Sequence, residues 1–85
     1  MIRLRFENSN DSLIYVQIDP FAAVYALEKG QAIEIEADGS VERPDLTIDE
    51  HNDTRIVTLN NYDDFFVILD DKRVHWTEYQ TNMDR

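Results

Sequence analysis

The segment that decides the fold is Gln31-Ala32-Ile33-Glu34-Ile35-Glu36-Ala37, in which apolar and acidic side chains alternate. A period of two indicates a β-strand, because successive side chains of a strand point to opposite faces of its sheet. We therefore predict a half-buried strand with an acidic outer face. Asp38-Gly39 follows directly and predicts a two-residue hairpin turn, since both residue types tolerate positive φ.

The segments around this strand also have a period of two or a short apolar run. Residues 12–18 alternate with apolar side chains on both faces, which predicts a strand inside a sheet. Residues 65–69 form a five-residue apolar run, which indicates either a central strand or a strand with one face left for a partner. Aspartates flank this run on both sides, and such charges discourage intermolecular strand pairing. Asp70-Asp71 can turn the chain into residues 72–77.

The whole pattern predicts an all-β fold in one domain. A chain of 85 residues allows a single domain, which we place at 1–79, followed by a frayed polar tail at 80–85. We expect a small β-sandwich or partly open barrel of seven to eight short, mostly antiparallel strands. These strands lie near residues 2–7, 12–18, 21–28, 31–37, 45–49, 54–59, 64–69 and 72–78.

Residues 19–30 are ambiguous by their local signals. In a helix, Asp19 is the N-cap, Pro20 the first helical residue and Gly30 the residue after the end. In a strand, alternate residues share one face and a turn follows at 28–30; the face consists of Phe21, Ala23, Tyr25 and Leu27. The helical alternative would make the domain α+β.

A resemblance favours the strand. Asp19-Pro20-Phe21, then Tyr25-Ala26-Leu27-Glu28-Lys29-Gly30 and the strand to Ile35, resembles a pattern in small, uncharacterised bacterial β-domain proteins. The pattern there reads Glu-Pro-Trp and Pro-Gly where this chain has Asp19-Pro20-Phe21 and Lys29-Gly30. The resemblance implies a β-hairpin across 19–35 and no activity. The Leu-x-x-Gly-x-x-apolar element is also similar to one in cupredoxin-like sandwiches, although the chain has no cysteine to ligate copper.

Composition excludes several classes of protein. Eighteen acids against eight Lys and Arg give a net charge of −10, which repels nucleic acid and anionic membranes. The absence of cysteine excludes disulfides, thiolate nucleophiles and cysteine zinc sites. Charged and apolar residues alternate at the N-terminus, and the longest apolar run, 21–27, is too short to span a membrane. We expect a cytoplasmic protein.

The polar residues do not form a catalytic pattern, so we expect no enzyme, no cofactor and no metal. Residues 49–53 (Asp-Glu-His-Asn-Asp) lack the spacing of a calcium loop and read as a polar turn. His51 and His75 are not spaced as a zinc pair, and we place both at the surface or a rim. Neither Gly30 nor Gly39 belongs to a phosphate-binding loop.

The acids are concentrated in one quarter of the chain, and this is the main functional signal. Residues 34–53 carry eight acids and one arginine, a net charge of −7. A partner with a basic face would be attracted and its association accelerated. We therefore predict a non-catalytic protein-binding module, of inhibitor or immunity type. Its predicted partner-binding residues are Glu34, Glu36, Asp38, Glu42 and Asp45.

Other functions stay open at this point. The acidic surface can serve solubility alone, or imitate a row of DNA phosphates. The aromatic content of 11% suits a β domain that binds a small ligand. A structural homo-oligomer is a third class, formed through residues 65–69 or through an edge strand across a two-fold axis. The sequence leaves the oligomeric state undecided.

Overall fold

The structure is a computed structural model that describes residues 1–39 and 44–78. Within them lie eight strands and one short 3-10 helix, η1. Their bounds are β1 Ile2–Glu7, β2 Ile14–Asp19, β3 Ala23–Leu27, β4 Ala32–Asp38, β5 Asp45–His51, β6 Thr54–Asn60, β7 Asp64–Leu69, β8 Lys72–His75 and η1 Trp76–Glu78. The all-β prediction is confirmed.

The strands form two four-stranded sheets that do not close into a barrel. The first sheet has the order β1-β4-β7-β8, and all its neighbours are antiparallel. The second sheet has the order β3-β2-β6-β5. Its one parallel pair is β2 with β6, and between these two strands the chain passes through β4 of the first sheet. Along its length the chain crosses between the sheets more often than it turns back within one.

The core lies between the sheets, where one face of each interior strand is buried. In β4, Ile33, Ile35 and Ala37 are fully buried, as the alternation of residues 31–37 predicts. In β7, Phe65 and Val67 are fully buried, while Phe66 and Ile68 on the other face are half-buried. β2 is interior to the second sheet, as its two apolar faces predict.

Residues 19–30 contain a strand, and the helical alternative is wrong. Ala23, Tyr25 and Leu27 are buried on one face of β3, which pairs with β2. Phe21 precedes the strand, and its ring centroid lies 4.9 Å from that of Phe65 and 5.2 Å from that of Trp76. Burial of every second residue against the opposite sheet outweighs the helix-cap signals at Asp19 and Gly30.

The predicted hairpin turn at Asp38-Gly39 is wrong, because β4 and β5 belong to different sheets. A Cβ at Gly39 would lie 3.2 Å from the Cβ of Pro44 and 3.2 Å from Cδ2 of Tyr62. Gly39 thus permits a close approach of the crossing segment, not a hairpin. The same turn residues suit a hairpin and a crossing between the sheets, so the pairing of distant strands decides which of the two forms.

The predicted turn at Asp70-Asp71 is confirmed. Both residues have positive φ, 54° and 65°, and β7 and β8 pair on either side of them. Aspartate tolerates this region better than most residues, since its short side chain can bond locally. The predicted strand at 72–78 ends at His75, and η1 follows. Glu42 and the predicted tail 80–85 lie outside the described residues.

In the described part of the chain, no helix is both long enough and apolar enough to cross a membrane.

Candidate interaction surface

The fold divides the predicted partner-binding residues between the two sheets. Glu34, Glu36 and Asp38 belong to β4 in the first sheet, whereas Asp45 begins β5 at the edge of the second. Asp38 and Asp45 do lie at the same end of the sandwich, because the residues that follow and precede them, Gly39 and Pro44, approach closely. The predicted set is therefore not one continuous surface.

Glu36 is engaged by the protein's own arginines. It is only 6% exposed, although it lies on the outer face of the first sheet. Arg3 donates a hydrogen bond from Nη2 to Oε2 at 2.7 Å, and Arg73 donates from Nε to Oε1 at 2.7 Å. The hydrogen bond from Arg73 lowers the pKa of Glu36 below its usual value, against the opposing effect of burial.

The sheet register brings these three charges together. Arg3 of β1 lies directly opposite Glu36 of β4. Arg73 comes from β8, two strands away from β4, and crosses the intervening strand β7. Its guanidinium carbon lies 4.1 Å from the ring centroid of Phe66, a cation–π contact. Arg73 thus also covers part of Phe66, the outward-facing aromatic of the apolar run at 65–69.

A sequence signal for this arrangement exists but is weak. Arg3 and Arg5 are spaced by two in β1, just as Glu34 and Glu36 are in β4, and the register sets each arginine opposite a glutamate. Complementary spacing of opposite charges suggests two neighbouring strands, since opposite-charge pairs stabilise a sheet. Arg73 has no comparable signal, because it reaches Glu36 across another strand.

Glu34 lies in a shallow cavity of about 270 Å³ on the outer side of the first sheet. Ile68 and Ala32 contribute its apolar part, and carboxylates line much of the remainder. Its lining residues are Arg5, Gly30, Gln31, Ala32, Glu34, Ile68, Asp70 and Asp71. The lining suits a cationic group, and the volume lies below the roughly 300–1,000 Å³ typical of ligand pockets.

β5 is the most exposed strand of the second sheet. Every residue of β5 is exposed except Leu46, which is half-exposed. Ile48 lies directly opposite the fully buried Val57 and so faces the inner side of the sheet, yet it is 45% exposed. The first sheet therefore covers β5 only in part, since Leu46 packs against the core and Ile48 is left open. This leaves an apolar side chain open to solvent beside the core.

The acids of β5 differ from Glu36 in their partners. Glu50 forms an ion pair with Arg55 at 3.1 Å but remains 69% exposed. Among the described residues, Asp45 and Asp49 have no basic side chain within ion-pair distance. Their charges face solvent, so no base in the described part of the chain competes with an approaching basic group.

Among the described residues, the backbone of β5 has a strand partner on one side only. The backbone N–H of Tyr15 in β2 donates to the carbonyl of Asp53, just before β6, at 2.8 Å. Backbone groups alternate in direction along a strand, so the odd-numbered residues of β6 face β2 and the even-numbered ones face β5. The register pairs those even residues with the odd ones of β5. The N–H and C=O groups of Leu46, Ile48 and Glu50 therefore point away from β6. We call this side of Asp45–His51 the β5 edge.

A second polar cluster joins β7 to the end of β8 and to η1. Asp64 accepts a hydrogen bond from Nε1 of Trp76 at 2.9 Å and contacts Nε2 of His75 at 2.6 Å. Nδ1 of His75 lies 2.8 Å from Oγ1 of Thr77. A carboxylate, an imidazole and a hydroxyl in this order resemble a hydrolase triad. Because the same carboxylate also binds the indole, we interpret the cluster as an anchor for η1.

The polar run at 49–53 forms the end of β5 and the turn into β6, as predicted. His51 and Thr54 pair across it, and Asn52 has a φ of 56°. Across residues 1–39 and 44–78, no group of three or more His, Cys, Asp or Glu side chains is arranged to hold a metal ion.

Comparison with protein-family models, with curated proteins and with solved structures finds no match. The resemblance of residues 19–35 to bacterial β-domain proteins stays a prediction.

Proposed function

We propose that this protein is a non-catalytic, acidic module that binds a partner protein with a basic face, and that the β5 edge is its main contact. The observation that carries this proposal is the exposure of β5. The edge strand presents Asp45, Asp49 and Glu50 to solvent next to an uncovered Ile48. An apolar contact surrounded by a polar rim is the usual arrangement of a protein–protein interface.

Geometry changes which acids we assign to the contact. Glu36 already has two arginine partners, so a partner protein would have to displace them before it could bind this carboxylate. Asp45 keeps its assignment, since it begins the β5 edge. Asp49 joins it, and so does Glu50, which stays 69% exposed despite its ion pair with Arg55. Asp38 contributes from the same end of the sandwich as Asp45.

The charge distribution favours a basic partner over a neutral one. Five of the chain's basic residues form ion pairs with its own acids: Arg3, Arg5, Lys29, Arg55 and Arg73. Among the described residues, these five bases engage only four acids, Glu7, Asp11, Glu36 and Glu50, so the negative charge exceeds what the bases balance. The excess negative charge raises the association rate of a basic protein at low salt and loses most of that effect at high salt.

The alternative of a small-ligand protein has less support. The cavity at Glu34 is small and open, and carboxylates make up much of its lining. Small-molecule pockets are mostly apolar with few polar groups. A lysine side chain of a protein partner fits this chemistry, with its stem on Ile68 and its ammonium among the carboxylates.

The test is capture from a lysate of the native host on the immobilised protein, with elution by a salt gradient. We expect one basic protein to elute at a few hundred millimolar salt. The double variant Asp45→Asn, Asp49→Asn should retain it at least about tenfold more weakly. The matched control is Glu28→Gln, Glu78→Gln, which removes the same charge from exposed positions outside β5 and outside the cavity at Glu34.

Equal retention by both double variants would show that the total charge, and not the β5 edge, attracts basic proteins. If the immobilised protein retains no basic protein at low salt, the proposed function is wrong.

A further inference from the structure

The β5 edge has three properties that together define a kind of ligand. Its backbone N–H and C=O groups at Leu46, Ile48 and Glu50 point away from β6, as the pairing of Tyr15 with Asp53 requires. Its inner side chain Ile48 is 45% exposed. Its outer side chains include two aspartates that no described base neutralises. Natural proteins usually cover, shorten or charge such an edge. Charge of one sign repels strands of that sign and still admits a strand of the opposite sign.

We propose that the β5 edge binds an extended basic segment of the partner as an additional strand of the second sheet. This inference rests on the function proposed above and specifies how the contact is made. Strand addition uses main-chain hydrogen bonds for affinity and alternate side chains for specificity. The backbone groups that point away from β6 can form these hydrogen bonds, and the alternating side chains of β5 can select the segment.

The side chains of β5 specify the sequence of that segment. Directly opposite residues of paired strands lie about 4.5–5.5 Å apart at Cβ on the same face. The partner residues opposite Asp45 and Asp49 should be Lys or Arg, and those opposite Leu46 and Ile48 should be apolar. The position opposite Thr47 is polar. The resulting pattern, basic-apolar-polar-apolar-basic, reads the same in both directions.

A second copy of this chain is a poorer occupant. A two-fold pair centred on Ile48 would set Asp45 opposite His51 and Asp49 opposite Thr47, without a Lys or Arg partner for either acid. Two chains of charge −10 would also repel each other at low salt. Charge complementarity therefore favours a basic segment.

The probe is a soluble nine-residue peptide with the central sequence Lys-Val-Thr-Val-Lys, labelled for fluorescence anisotropy. Its control is a peptide of the same composition with the centre reordered to Lys-Lys-Thr-Val-Val. We expect the patterned peptide to bind at least about tenfold more tightly, with amide NMR shifts concentrated in β5 and β6. Equal binding would mean that only net charge is recognised, which overturns strand addition while leaving the proposed function intact.

Removing backbone donors tests the hydrogen bonds directly. Ile48→Pro deletes an N–H that points away from β6, so the β5–β6 pairing should survive and the peptide affinity should fall at least about tenfold. Ile48→Ala keeps this N–H and should lower the affinity for the peptide only a few-fold.

A peptide with both Val nitrogens methylated tests the same hydrogen bonds without altering the protein. It should fail to bind if the peptide pairs antiparallel to β5. Methylation of the backbone nitrogens of the central Thr and the two Lys should abolish binding if the peptide pairs parallel to β5 instead.

If neither methylated peptide loses affinity, the backbone takes no part and strand addition is wrong. Sedimentation of the protein alone provides the remaining check. A dimer that forms without peptide and shifts the β5 amides would make a second copy the occupant and overturn the basic segment.

Discussion

β4 and β5 have similar sequences and opposite environments. Each alternates aliphatic with polar, mostly acidic side chains, and both contribute acids to the segment 34–53. In β4, an interior strand, Ile35 is fully buried and Glu36 is 6% exposed between two arginines. In β5, an edge strand, Ile48 is 45% exposed and the acids face solvent. The position of a strand within its sheet therefore decides whether the same pattern is buried in the core or stays exposed to solvent.

The largest expected contrast comes from truncating the two isoleucines. Ile35→Ala should lower the free energy of unfolding by about 2–5 kcal/mol, because it leaves a cavity in the core. Ile48→Ala should lower it by less than about 1 kcal/mol, since nearly half of that side chain is already in water. Urea unfolding followed by tryptophan fluorescence measures both. Similar losses would mean that β5 is covered in solution and would remove its contrast with β4.

A smaller contrast is expected from neutralising one acid in each strand. Glu36→Gln should lower the melting temperature by several degrees, because the guanidinium groups of Arg3 and Arg73 lose their common carboxylate. Asp49→Asn should leave it unchanged or raise it slightly, since it removes repulsion among exposed acids. Calorimetry at low salt measures the two shifts. A larger loss for Asp49→Asn would contradict the division of roles between β4 and β5.

The smallest expected effect is the change with pH in the stability that Glu36 contributes to β4, the strand compared with β5. The pKa of Glu36 is lower in the folded protein than its ordinary value of 4.5, so the folded state holds fewer protons at this site in the interval between the two values. Its stabilising contribution is complete above the ordinary value and is lost as pH falls through the folded pKa. The difference in melting temperature between wild type and Glu36→Gln should therefore shrink on acidification. A difference that stays constant down to a pH of about 3 would show that the ion triad does not lower this pKa.

Most of the fold follows from local pattern. The period of two in residues 31–37 and the turn at Asp70-Asp71 need no knowledge of other strands, and both predictions are confirmed. The hairpin at Asp38-Gly39 is wrong because the same turn residues also suit a crossing between sheets. The choice is made by pairing with β7, whose sequence begins 26 residues after Asp38.

The candidate surface was less predictable than the fold. Asp45 could be identified from charge density, and Asp49 and Glu50 belong to the same acidic run. Nothing local separates Glu36 from them, since its two arginine partners are 33 and 37 residues away in sequence. The exposure of Ile48 is equally non-local, because it depends on how far the first sheet extends over β5.

The sequence by itself determines the all-β class, the faces of the strands and the excess of negative charge, since each depends on residue types and their spacing along a short segment. Only the tertiary structure decides which strands are neighbours and which strand is left at an edge. That order depends on contacts between distant residues. It determines that Glu36 is neutralised within the first sheet, whereas Asp45 and Asp49 remain exposed on the second.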